Sequence, residues 1–181
     1  ISNTNHTPDE AKTIGILLEN AKHFKVSGVD AYIVYRGKMI EVCIDKCRDI
    51  TINGFQFDYH RPTVSEFKVL SVADDHVDLK IHEDSKYEIK NGSITWVGEG
   101  WSYKTNYYVE FKPDNNTVKR RRNVLSGMRM EEIEPFLIRA HGKHNIKKGR
   151  VFQARNITRD CTGVFIRRSK DVVWKKSSFY F

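Results

Sequence analysis

Three stretches of this 181-residue chain repeat one another, and that repetition restricts the fold more than any composition figure does. They run from Ile16 to Val29, from Val42 to Phe55 and from Val164 to Ser177. Each reads apolar-x-apolar, two polar residues, a small residue, two further polar residues, then apolar-x-apolar again. The second begins 26 residues after the first, and the third a further 122 residues on. Apolar alternation over a few residues is the pattern of a half-buried strand with one face inward. The small residue between the two alternating runs (Ala21, Cys47, Ser169) suits a tight corner. Two strands and a corner make a coil. Stacked coils of about 26 residues make a right-handed parallel β-helix, in which equivalent side chains lie above one another and fill a narrow core. No 3.6-residue period runs through these stretches, and Val, Ile, Phe and Thr dominate them. A leucine-rich repeat has a similar period but needs a regular Leu ladder with an Asn or Cys turn, and the chain has neither.

The longer offset leaves about 96 residues between the second and third coils, and they read differently. Ser65–Val72 and His76–Ile81 alternate around the turn Ala73-Asp74-Asp75, a hairpin signature. Tyr87–Ile89 and Ser93–Val97 flank Asn91-Gly92, the dipeptide that a tight primed turn favours. Tyr107–Phe111, Phe136–Ala140 and Arg150–Ala154 complete seven short strands with frequent turns, which predicts a small antiparallel barrel or sandwich. Only Met130–Glu134 reads as a brief helical turn. The expectation is an all-β chain: first β-helix coils over 1–62, an inserted small antiparallel β-barrel over 63–160, and the β-helix continuing over 161–181. The third coil stops in mid-strand at Phe179-Tyr180-Phe181 with no polar cap, which predicts an N-terminal piece of a longer protein.

Charge narrows the partners rather than the fold. The net charge of +8 is uneven: residues 1–118 carry 14 basic and 18 acidic side chains, residues 119–181 carry 17 and 5. A polyanion partner therefore stays in play, centred on Lys119-Arg120-Arg121-Arg122. No aromatic-basic RNA module accompanies that run, so exposed strand residues that discourage edge-to-edge association are preferred, and no nucleic acid is expected. No apolar run approaches the roughly 20 residues that span a bilayer. Ile1 and the polar residues after it carry neither an initiator Met nor a signal-like segment, so either a targeting segment has been removed or the chain is cut from something longer. Three cysteines, Cys43, Cys47 and Cys161, make neither a disulfide framework nor a zinc set, and they read as buried thiols. Phosphate loops, dinucleotide fingerprints, H-E-x-x-H and G-x-S-x-G are absent, and no metal or cofactor is expected. His141 and His144 form a close pair in a basic loop that reads as a solvated hairpin tip.

Two segments offer binding residues. Phe55–Pro62 closes the second coil, and Pro62 ends its strand by removing a ladder donor. Asp58 and Arg61 are close enough in sequence to pair, either as a polar wall of a carbohydrate cleft or, the preferred reading, as a salt bridge fixing the insertion. Gly98-Glu99-Gly100-Trp101 is a glycine-flanked turn presenting an aromatic ring. Trp101 suits stacking on a sugar face and equally suits plugging the barrel, with Glu99 beside it.

Asn20–Gly28, Cys47–Pro62, Gly98–Trp101 and Gly163-Val164-Phe165, in that order and around an insertion of that length, resemble glycoside hydrolase family 110, the bacterial exo-acting α-1,3-galactosidases. The resemblance covers essentially the whole chain. It implies a parallel β-helix with an inserted barrel, a secreted or periplasmic bacterial enzyme, and metal-free inverting hydrolysis of terminal α-1,3-linked galactose. Inversion requires two carboxyl groups about 6.5–9.5 Å apart. The family places them in an Asp-Asp-rich motif on later coils, so the catalytic residues of this chain are unknown and are expected outside it. Asp74-Asp75 sits at a hairpin turn and does not take that role. Asp58, Arg61, Glu99 and Trp101 remain as substrate-binding candidates, with a glycan bearing terminal galactose as the partner. The basic rear half keeps two alternatives open: a β-helix polysaccharide lyase or uronic-acid hydrolase, and a non-enzymatic glycan- or polyanion-binding module.

Overall fold

The computed structural model describes residues 10–155 and 161–180. Every regular element among them is a strand. β1 (Ile14–Glu19), β2 (Lys22–Tyr35), β3 (Ile40–Asp45) and β4 (Arg48–Tyr59) come first. Ten strands follow: β5 (Ser65–Val72), β6 (His76–Ile81), β7 (Lys86–Lys90), β8 (Ser93–Gly98), β9 (Trp101–Tyr103), β10 (Tyr107–Lys112), β11 (Thr117–Arg122), β12 (Arg129–Glu134), β13 (Leu137–His141) and β14 (Val151–Ala154). β15 (Val164–Arg167), β16 (Lys170–Lys175) and β17 (Ser178–Phe179) complete the series. Internal contacts divide the chain into two compact units, Ile1–Arg61 with Thr158–Phe181, and Pro62–Ile157.

The first unit is built from parallel pairs. One sheet runs in the order β1-β3-β15, with Ile16 beside Val42 and Val42 beside Val164, then Leu18, Ile44 and Ile166 two residues on. In the other, β2, β16 and β17 all pair with β4 in parallel, and Phe24, Ile50 and Val172 occupy one register position on neighbouring strands. The 26- and 122-residue spacings of the sequence are therefore the strand registers.

The turns between strands repeat as well. Asn20, Lys46 and Arg168 have left-handed backbones (φ 56°, 54° and 50°), and so do His23, Asp49 and Asp171 (54°, 54° and 57°). Such a conformation costs an ordinary residue roughly 1–2 kcal/mol, so its recurrence at one spacing marks a bend that every level must make. The small residues Ala21, Cys47 and Ser169 lie between these positions, where the Cys47 amide donates to the Ser169 Oγ at 3.0 Å. Burial follows stacking order. β3, flanked by β1 and β15, is buried at all six residues, whereas β1 alternates. Phe57 anchors the core, stacked on Phe179 at 4.9 Å and near Trp174 and Phe55, each at 5.8 Å.

The second unit is antiparallel. Seven strands run in the order β11-β10-β14-β5-β6-β13-β12, and β7-β8-β9 form a separate three-stranded sheet. Phe67 stacks on Phe152 at 5.3 Å and on Trp96 at 6.1 Å within its core. Met130–Glu134, read from sequence as a helical turn, lies in β12 instead. Pairing with β13 overrides the helix-favouring glutamates and turns Met130 inward among Trp96 and Phe152. β9, β11 and β12 are strands beyond the seven expected, and β11 takes in the whole basic run. β11 ends the sheet order with mostly exposed residues.

Candidate functional site

The outward face of the first unit around the end of β4 gathers the most chemistry. Side chains alternate across a strand, so with Ile33, Phe57 and Phe179 packed inward, Tyr32, Gln56, Asp58 and Tyr180 share the opposite face. A bulge in β2 between Ser27 and Ala31 shifts its register by two residues. Tyr32 consequently sits opposite Gln56, and its hydroxyl reaches diagonally to donate to the Asp58 carboxylate. The Tyr59 amide donates to Asp58 Oδ1 at 2.7 Å. Tyr180 follows the Phe179–Phe57 pair, and its amide donates to the Phe57 carbonyl at 2.8 Å. Tyr32 is 55% exposed and Tyr180 48% exposed, so two aromatic rings stand open to solvent on the face that holds a half-buried carboxylate. The hydrogen bond to Asp58 is the main cause that pushes the Tyr32 hydroxyl above its ordinary value.

A second carboxyl lies buried in the same unit. Glu41 is 2% exposed, and its Oε1 has no hydrogen-bond partner among the described residues. Burial pushes its carboxyl up; a hydrogen bond with Tyr59 opposes this and the charge of Asp58 adds to it. Tyr35 donates to the Glu41 backbone carbonyl at 3.1 Å, and burial lifts its hydroxyl to about 12. The Tyr59 hydroxyl, also raised by burial first, donates to the Met39 carbonyl at 3.3 Å.

The expected pair between Asp58 and Arg61 is not made: among the described residues no ion pair joins them. The carboxylate is taken up by Tyr32 across the sheet and by the adjacent amide, while the chain bends at His60 and Arg61 after β4. Arg61 is half-buried beside that bend. Glu99 and Trp101 belong to the second unit, at the turn between β8 and β9. Trp101 is half-buried. Its ring stacks on Tyr103 at 5.3 Å and lies so close over Gly98 that a Cβ there would meet the indole at 2.0 Å. Glu99 is half-buried beside it.

Tyr32, Tyr180 and Glu41 were not singled out from sequence. The signal was available for Tyr180, which follows Asp58 by the same 122 residues that pair Ser178 with Gln56; at Tyr32 the bulge changes the pairing offset from 26 to 24. Glu41 carries no such mark, because an outward position in an alternating strand reads as exposed.

The remaining charged clusters are structural. Asp45, with a side chain 1% exposed, accepts from Arg167 Nη2 at 3.0 Å and from Arg168 Nε and Nη2 at 3.0 and 2.8 Å. Those guanidinium hydrogen bonds, Arg168's first, pull it down to about 2. Within the basic run, Arg121 pairs with Glu110 at 2.7 Å, and Arg122 lies over the Tyr107 ring at 5.0 Å. His144 is not at a solvated tip. Its Nε2 is 2.9 Å from the Ala73 carbonyl, and the buried Ile146 ties the same loop into the core. Among the described residues no group of three or more His, Cys, Asp and Glu could hold a metal ion.

Residues 65–152 match the family described as GLAA-B beta-barrel domain I. Over the whole chain, Alpha-1,3-galactosidase A of Akkermansia muciniphila is 34% identical and Alpha-1,3-galactosidase A of Bacteroides fragilis 31% identical. Alpha-1,3-galactosidase B of Bacteroides thetaiotaomicron is 30% identical over 93% of the chain. The chain spans 31% of the length of the first two relatives and 29% of the third.

Proposed function

From the premise that this chain belongs to the α-1,3-galactosidase family, glycoside hydrolase family 110, we propose that it forms the glycan-facing flank of an inverting exo-α-1,3-galactosidase. The parallel strands of the first unit are rungs of a right-handed parallel β-helix, and the antiparallel unit is a barrel inserted between the second and third rungs. The face bearing Tyr32, Asp58 and Tyr180 borders the substrate cleft. Its two open rings offer apolar platforms to the C–H faces of sugar rings, and the Asp58 carboxylate, oriented by Tyr32, accepts from a sugar hydroxyl. The acid that protonates the leaving oxygen and the base that activates water are supplied by coils beyond this chain. The chain contributes binding and orientation.

The observation that carries this reading is the exposed tyrosine pair around one carboxylate, built from three levels of one stack. It is tested in the galactosidase of which the chain forms part, by steady-state kinetics on an α-1,3-galactosyl oligosaccharide. Tyr32→Ala and Tyr180→Ala should each raise KM about 3–10-fold, the size of one aromatic contact, with kcat little changed. The isolated chain should release no galactose. Unchanged KM in both variants, or galactose release by the chain alone, overturns the proposal.

A further inference from the structure

The face around Asp58 holds a polar side chain that the reading above leaves unused. Gln56 precedes Asp58 by two residues on β4, so both side chains leave the same side of the sheet. Its neighbours across the two parallel ladders are Tyr32 in β2 and Ser178 in β17. Gln56 is half-buried, yet its side-chain amide makes no hydrogen bond among the described residues. Asn53, earlier on the same strand, differs: its Nδ2 donates to the Ser27 Oγ at 3.3 Å. The Tyr32 hydroxyl is likewise committed, to Asp58, which leaves the exposed ring beside an amide that still has both functions open. An ionised carboxylate only accepts, whereas an amide accepts at its oxygen and donates at its nitrogen. The Asp58–Gln56 pair therefore suits a ligand that carries hydroxyls at two successive positions. Two residues of strand advance about 6.6 Å, the reach from one sugar ring to the next.

We propose that Gln56 determines specificity for the sugar to which the terminal galactose is joined. With galactose at Asp58, the next pyranose lies along β4 beside Gln56, whose Oε1 accepts from one of its hydroxyls and whose Nε2 donates to a neighbouring oxygen. The assignment rests on the reading of this face as the border of the substrate cleft, and it adds that the cleft reads two sugars rather than one. An aglycone without hydroxyls leaves the half-buried amide unpaired in the complex, and a site that must desolvate an unpaired polar group discriminates against such a ligand.

The test compares two substrates in the galactosidase of which the chain forms part: an α-1,3-galactosyl-galactose disaccharide and para-nitrophenyl α-galactoside, whose aglycone presents no hydroxyl. Gln56→Met keeps an unbranched side chain of similar length and removes the amide; Gln56→Leu is a second apolar replacement should the first disturb folding. Either should lower kcat/KM for the disaccharide about 5–20-fold, the size of one or two neutral hydrogen bonds, chiefly through KM, and leave the nitrophenyl substrate within about 2-fold. Tyr32→Ala acts at the galactose position and should raise KM for both substrates alike, so the two readings fail separately. Unchanged KM in the tyrosine variants strikes the aromatic platform, and a loss selective for the disaccharide still assigns Gln56. Any result other than that selective loss, whether an equal loss on both substrates or none on either, overturns the role of Gln56.

Discussion

Replacing Phe57 by alanine tests the stack on which the first unit depends. Phe57 is 1% exposed and has Phe179 at 4.9 Å, Phe55 and Trp174 at 5.8 Å and Tyr35 at 6.3 Å. Truncating a buried Phe costs about 3–5 kcal/mol, the spread reflecting how far the site can collapse. Here it can collapse little, because the backbone on both sides is held in parallel ladders by β2, β16 and β17. Aromatic pairs add about 0.5–1.5 kcal/mol each beyond area, which places the expected loss near 4–5 kcal/mol. That is a large part of the roughly 5–15 kcal/mol a domain possesses. Phe24 is the internal control: it lies in β2 of the same sheet but is 39% exposed, so Phe24→Ala should cost about 1 kcal/mol or less. Urea unfolding gives the two values, and amide hydrogen exchange over β4 and β16 shows which unit has weakened. A double-mutant cycle of Phe57→Ala with Phe179→Ala should return a coupling of about 1 kcal/mol. Equal costs at Phe57 and Phe24, or strict additivity of Phe57 with Phe179, would refute the argument, because the rings would then not share a column across 122 residues of chain.

Two pH dependences follow from the carboxyl groups of the same unit. Asp45 is pulled from 3.8 down to about 2 by Arg168 and Arg167. Its contribution is therefore complete above pH of about 4 and is lost as pH falls toward 2, so the melting temperature should drop through that window and Asp45→Asn should flatten the drop. A wild-type profile already flat there would contradict the pairing. Glu41 has the opposite sign. Its raised value favours the protonated form in the folded state, so its contribution is present at acid pH and is lost as pH rises through that raised value. Glu41→Gln should melt higher than the parent at pH 8 and alike at pH 4, and a lower melting temperature at pH 8 would show that the buried carboxylate is needed as a charge.

Much of this architecture could be read from residue types alone. The repeat spacing announced the parallel registers because parallel pairing at a constant offset sets chemically equivalent positions beside one another, and the Ala21, Cys47 and Ser169 corners did the same for the bends. Alternation and Asn91-Gly92 placed most of the antiparallel strands, since each needs only local pattern and turn chemistry. β12 escaped because its glutamates favour helix until β13 supplies a partner. At the candidate site Asp58 was legible as a polar residue closing a coil, but its partner was not. Sequence proximity suggested Arg61, whereas parallel pairing of β2 with β4 sets Tyr32 opposite Gln56, from where its hydroxyl reaches Asp58 diagonally. What the amino-acid order determined by itself was periodicity, because periodicity is a property of one chain segment at a time. What the tertiary structure alone decided was which side chains meet, which tyrosines stay open and which carboxyl is buried. Those depend on register shifts of one or two residues and on what a neighbouring level covers, and neither is written in any local pattern.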